Sequence, residues 1–504
     1  MLTITAIPVL SAVVFYLGYT LLASRRAGRH DIPLHQFVDR LDTHEHYIAG
    51  TRHLHYDGYS KFTKAEQPYR VRTSAGSERI ILPLKYLTEV KNAPQSHISL
   101  PEEMAHLLLM DYTGVPQRTD SGTKVVRVDM TRQLGNLVTA MDEECGAAFQ
   151  RFMPKCKDWT AVKIYPVLAH IVAQISGRVL VGSELCRDEK WLRISIEFSG
   201  DAFGAARALR AGNKYPWSML LDSYTSPSVA RLREGRKKAA TLLRPICEKR
   251  MARMSDPLWK RPNDGNQWLL DSHAHSGESI DEVVKSQLRL TMAAIHNTTM
   301  SITNDIFDLL AHPEYTDLLR EEVQQVLKEE GGWTKQALTK MRKLDSFMKE
   351  SQRMNPSTML TVKRKVLHDF QLHDGLMLPK GSHIAFASDG LNRDSEIYSS
   401  PEKFDGLRFY KLCAGEVGAE NEARHKYVAA TSEYLNWGQG RNACPGRFFA
   451  SDEIKLMLAH LLLNFDMRWK AGEGRPESAV NDWNILPDRE KEIEVRGRVK
   501  DVVV

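Results

Sequence analysis

The segment LNWGQGRNACPGRFFASDEIKLMLAHLL, Leu435 to Leu462, decides how this chain is read. Glycines 438, 440 and 446 surround a single cysteine, Cys444, and an apolar helical pattern follows at once. A thiolate that ligates a metal is favoured near a helix N-terminus, where backbone N–H groups support negative charge on sulfur. Glycines let backbone approach a flat cofactor without Cβ clashes, and Pro445 suits the first turn of a helix. Two other readings compete. A lone cysteine is commonly an inert buried one. Gly438-x-Gly440-x-x-Ala443 also fits a loose dinucleotide fingerprint, but that pattern needs a preceding strand and a parallel βαβ unit. Here an irregular stretch precedes it and Cys444-Pro445 interrupts it.

Upstream, Ser279-Ile280-Asp281-Glu282 reads as a capping box. The helix it opens meets no Pro or Gly until Pro313, some thirty residues, which is about 48 Å at about 1.5 Å per residue. Its middle, LTMAAIHNTTMSI (290–302), is apolar but carries His296, Asn297, Thr298 and Thr299. Polar groups at the centre of a buried helix need partners or a use. Two more helices are expected, one from Pro313 to before Gly331-Gly332 and one from about Thr334 to Met354. The final helix runs from just after Cys444 to about Leu463. Residues 130–355 read as mostly helical, with a loop near 256–278. Short strands are expected at Arg79–Pro83 and over 360–390, and an irregular stretch over 393–440. The fold class is therefore mainly α with a small β portion.

The chain has 504 residues, 26% of them charged, and a net charge of +6, which is globular and too weakly basic to argue for nucleic acid. Its six cysteines include no C-x-x-C pair, so neither a zinc site nor a disulfide scaffold is indicated, and the main domain belongs in a reducing compartment. Residues 1–24 contain no charge, and Arg25, Arg26 and Arg29 follow directly. About 20 apolar residues span a bilayer core, and arginines hold their flank in the cytoplasm. A signal peptide would carry its charge before the apolar run. Residues 1–24 are thus expected to be a single transmembrane anchor, and 25–504 a catalytic domain on the cytosolic face of the endoplasmic reticulum.

With four motifs in order, the sequence resembles the cytochrome P450 superfamily. The family's loop F-x-x-G-x-R/H-x-C-x-G finds Gly440, Cys444 and Gly446 in register, followed by Phe449, Ala450 and Glu453. Trp437 replaces the usual Phe. Asn442 stands where Arg or His usually meets a haem propionate, with Arg441 beside it. Glu350-x-x-Arg353 resembles the family's E-x-x-R, and EKFDGLRFYKL resembles F-x-P-x-R-F, so Arg408 would complete a structural Glu350–Arg353–Arg408 triad. Ala294 to Thr299 resembles A-G-x-D/E-T-T on the distal helix. The WxxxR helix of many members is not visible. Arg364, five residues before Asp369, is a further propionate candidate.

The resemblance implies the cytochrome P450 fold with one N-terminal transmembrane helix, and haem b with Cys444 as axial thiolate. It implies hydroxylation or successive oxidation of a small molecule with O₂ and NADPH. The partners implied are NADPH–cytochrome P450 reductase, cytochrome b5 as a further donor, membrane lipid and an apolar substrate. Thr298 is expected to hold the oxygen-bound water chain, with Asn297 in place of the usual acid and His296 nearby. The wording around the motifs is similar to fungal members that oxidise terpenoids, such as ent-kaurene oxidase. Two alternatives stand beside this: an electron-independent haem-thiolate isomerase or dehydratase, and an inactive haem-binding scaffold.

Overall fold

The structure, a computed structural model, describes Tyr16 and residues 32–37, 44–73, 77–212, 216–276, 279–415 and 419–498. The expected anchor, residues 1–24, lies outside the described residues apart from Tyr16. Among the described residues, no helix is long and apolar enough to cross a membrane.

The long helix spans Ile280–Ala311. The Ser279 hydroxyl accepts from the Glu282 N–H at 3.3 Å, a cap worth about 1 kcal/mol. Around this helix pack Ile164–Leu180, Glu189–Gly212, Pro227–Arg253, Gly265–Ser276, Arg342–Met354 and the last helix, Arg447–Asn464. The contact surfaces are apolar: Ile302, Ile306 and Phe307 join Ile171, Val172 and Ile175, with Leu344, Phe347, Leu456 and Met457. Each such side chain contributes about 1.5–3 kcal/mol by leaving water.

To one side lies a six-stranded mixed sheet, in the order Leu34–His35, Tyr69–Arg72, Glu78–Ile81, His383–Ala387, Leu360–Val366 and Ile98–Ser99. Its strands come from both halves of the chain, so it ties the N-terminal region to the segment that follows the E-x-x-R helix. A three-stranded sheet of Phe465–Arg468, Glu492–Gly497 and Thr160–Lys163 closes the far side.

Three expectations change. The loop expected over 256–278 contains the helix Gly265–Ser276. Asp264 caps it, accepting from the Gln267 N–H at 2.9 Å while Arg250 grips the same carboxylate at 2.6 and 2.9 Å. Gly265 looks like a loop residue in sequence but is demanded by packing, because a Cβ there would meet the Leu180 carbonyl oxygen at 2.9 Å. The helix expected over 334–354 is two, Lys335–Lys340 and Arg342–Met354. Glu322 from the preceding helix separates them by accepting from the N–H groups of Lys343 and Leu344 at 2.7 and 2.9 Å. The stretch 393–440 is not wholly irregular, since Arg408–Gly415 and Ala419–His425 are short helices.

Candidate active site

The cysteine loop is shaped by its backbone. Gly438 and Gly440 have φ of +73° and +62°, a region that L residues with a Cβ rarely occupy. At Gly440 a Cβ would also press on Lys91 Cβ at 3.2 Å. The loop closes when the Cys444 N–H bonds the Trp437 carbonyl at 2.7 Å. The backbone N–H groups of Gly446 and Arg447 then bond the Cys444 sulfur. Burial pushes the thiol up, while these two N–H groups and the Arg447 guanidinium oppose it. Arg447 is itself fixed on the Cys444 carbonyl (2.8 Å) and the Val428 carbonyl (3.1 Å). Trp437 gives its indole N–H to the Tyr427 carbonyl at 2.6 Å and meets the Tyr427 ring edge-on at 5.3 Å. Gly446 needs no special conformation: its φ is −87°.

Behind the loop, Glu350 and Arg353 are completely buried. Arg353 holds both Glu350 oxygens at 2.8 Å, and Arg408 Nε reaches the same two oxygens at 3.1 Å. Arg353 also bonds the carbonyls of Asn392 and Pro401, and Arg408 that of Ser399. The three side chains therefore clamp the loop between residues 392 and 408. With its charges fully engaged, this triad positions backbone and performs no chemistry.

On the long helix, Ala293 and Asn297 are exposed, although the helix is surrounded by others. Their face therefore lines internal space. The Asn297 amide donates to the Ala293 carbonyl at 3.3 Å, which leaves its oxygen available as an acceptor. Thr298 sits one residue round, 5% exposed, and its hydroxyl bonds no described residue. Thr299 and Thr303 bond back to the carbonyls of Ile295 and Thr299 at 2.8 and 2.7 Å. His296 points elsewhere, to the Ile196 carbonyl at 2.7 Å and the Tyr165 hydroxyl at 3.4 Å. Burial holds it below the ordinary histidine range. It is a structural side chain with both ring nitrogens engaged, the satisfied core histidine that its place in a buried helix suggests.

The family model for cytochrome P450 matches residues 116–493, three-quarters of the chain. The chain is a cytochrome P450. The P450 monooxygenase BOA4 of Botryotinia fuckeliana is 39% identical over 86% of this chain and 87% of that protein. The P450 monooxygenase ccsG of Aspergillus clavatus is 36% identical over 99% of both. Among solved structures, the retinoic acid-bound cyanobacterial CYP120A1 shares the fold, with a TM-score of 0.63 at 19% identity, over 88% of this chain and 93% of that one. This P450 is a monooxygenase whose cofactor is haem b, held through a cysteine thiolate.

The residues present fit that group. Arg364 is 2% exposed, and its Nε and one terminal nitrogen have no partner. Burial first, with the nearby Arg118 and Arg441, lowers it to about 10. A buried guanidinium with idle donors and two further arginines near it calls for an anion, which a haem propionate would supply. Arg441 is tied to the carbonyls of Asn92 and Ala93, and its own carbonyl accepts from Arg127. The Asn442 side chain bonds no described residue. Arg118, not anticipated from the sequence, joins the group with its Nε on Thr123 at 2.8 Å. Nothing in its local wording marks it, because only the fold brings 118, 364 and 441 together.

Proposed function

We propose that this P450 oxidises an apolar, polycyclic small molecule of the terpenoid or meroterpenoid class in fungal secondary metabolism. The observation that carries the reading is the wall beside Ala293 and Asn297. Met292 of the long helix, Met104 and Ala105 are half-buried apolar side chains packed on a core of Leu108, Leu109, Met110, Phe198, Ala202 and Leu209. Such a surface suits a rigid hydrocarbon body with few polar contacts.

Bound haem supplies oxygen activation. Cys444 would hold it through sulfur, and Arg364, with Arg118 and Arg441 nearby, would receive its carboxylates. Asn297, with the Thr298 hydroxyl beside it, is placed to position water and hand on protons from the opposite face. NADPH–cytochrome P450 reductase donates the electrons, with cytochrome b5 as a second donor. The uncharged residues 1–24 and the arginines after them support an anchor in the endoplasmic reticulum membrane with the catalytic domain in the cytosol.

The test is reconstitution of the full chain with the reductase in microsomes. Polycyclic terpenoid probes should give products heavier by one oxygen, dependent on NADPH and O₂. Turnover without NADPH would instead support the isomerase alternative. Deleting residues 1–24 should shift the protein out of the microsomal pellet.

A further inference from the structure

Strand Leu360–Val366 pairs with His383–Ala387 but slips register between Thr361 and Arg364. Inside the slip, Val362 has φ of +51°, a strained conformation for a β-branched residue. A bulge of this kind bends the strand locally, and strand alternation sends the neighbouring cations to opposite faces. Arg364 joins Arg118 and Arg441, whereas Lys363 faces Arg79, Glu103, Asp482 and Trp483.

Trp483 sits at the tip of the hairpin Ala479–Asn481/Asn484–Leu486, and its carbonyl accepts from the Met359 N–H at 2.8 Å. The Lys363 ammonium lies 5.5 Å from its ring centre and the Arg79 guanidinium 4.9 Å. Glu103 is fully buried and both its oxygens are engaged, by Arg79 at 2.6 Å and His383 at 2.5 Å. The His383 ring packs against His106, tilted by 31°, with ring centres 4.2 Å apart. Arg210, in the last turn of Glu189–Gly212, donates to the carbonyls of His106 and Leu107. Asp482 is already engaged.

After these pairings the surplus is positive. Arg79 Nε is buried without a partner. Lys363 makes no hydrogen bond or ion pair with any described residue, and burial lowers its ammonium to about 8. Arg210 bonds only neutral carbonyls. A desolvated cation without an acceptor is costly and is retained where a ligand supplies the anion. The haem propionates are not that ligand, since the arginines for them lie with Arg364. The position points to the substrate instead. Leu108, directly after the carbonyls that hold Arg210, and Leu209, directly before Arg210, belong to the core on which the half-buried Met104, Ala105 and Met292 pack.

We propose that Lys363, backed by Arg79 and Arg210, is a docking subsite for a carboxylate on the substrate. The ring system would lie along the face of Met104, Ala105 and Met292 with its acidic end at the Trp483 hairpin. This rests on the substrate reading above and narrows it to amphipathic acids.

The test is equilibrium dialysis of the haem-loaded full chain with abietic acid and with methyl abietate, which share one ring system and differ in charge. The acid should bind wild type about tenfold tighter than the ester. Lys363→Met should bring the two affinities together, Lys363→Arg should keep most of the preference, and Lys365→Met should leave it intact. Arg210→Leu provides a second variant, with a few-fold loss of preference. The reduced-CO band in each variant reports folding and thiolate ligation, so the P450 reading stands or falls separately. An unchanged preference in Lys363→Met, no preference in wild type, or binding of neither probe would overturn the proposal.

Discussion

The loop Trp437–Gly446 and the middle of the long helix are the two segments proposed above to meet the haem, and different things fix them. In the loop, two left-handed glycines and the Cys444-to-Trp437 bond set the backbone, and the sulfur follows. In the helix the backbone is ordinary, and only the helical phase decides whether Asn297 or Thr298 looks into the pocket. A site set by backbone leaves a mark at nearly every position of the sequence. A site set by helical phase can be misread by one residue without any change in motif, because neighbours differ by about 100°.

The largest effect expected is on the backbone side. Cys444→Ser should remove the reduced-CO band that marks thiolate ligation and reduce turnover to background, since no other described side chain replaces the sulfur. The check is a difference spectrum with quantified haem. A retained thiolate band would mean that another cysteine holds the iron. None of the others is placed for it: Cys145 is fully buried and pushed well above its ordinary range by desolvation.

The helix side sharpens the comparison. Asn297→Ala should cut the fraction of NADPH that ends in product about tenfold, below the roughly 100-fold lower end for general acid–base groups, because an amide positions water without ionising. Thr298→Ala should release less peroxide than Asn297→Ala. The check is NADPH consumed against product and peroxide formed. The reverse order would place Thr298, not Asn297, on the pocket face.

The contrast also accounts for what could be read from sequence. The loop, the long helix and the Glu350–Arg353–Arg408 wording each carry local signals: glycines, a capping box, or an i, i+3 pair. Arg118 carries none, and neither does the Glu322 carboxylate that splits 334–354 into two helices. Both act on segments far away in sequence. Arg118 beside Asp120 reads as an ordinary surface pair until the fold brings Arg364 and Arg441 to it. The structural role of His296 was legible as a core histidine, but its partner, the Ile196 carbonyl, was not. Lys363 differs from Arg364 by one position, and the alternation of strand residues puts them in different surroundings.

The smallest effect expected belongs to the foot of the last helix. Glu453 is fully buried, with one oxygen on the Ser176 hydroxyl at 2.8 Å and the other without a partner. Burial pushes it up to about 8, with the Ser176 bond opposing, and the Cys145 thiol also faces it. An acid with a folded pKa above its unfolded value takes up a proton on folding. Its contribution is therefore complete below about 4.5 and is lost as pH rises toward about 8, at most a few kcal/mol. The raw stability curve mixes this with opposite slopes. His55 and His106 are each lowered to about 4, so their share grows from there up to about 6.5. Lys349, lowered to about 7, contributes in the same rising sense only above that pH. The difference between wild type and Glu453→Gln cancels these distant groups. Urea midpoints of the haem-loaded protein should show wild type losing ground to the Gln variant steadily from pH 5 to 8. Parallel curves would mean that Glu453 is already ionised, and that the last helix tolerates a bare carboxylate beneath the cysteine loop.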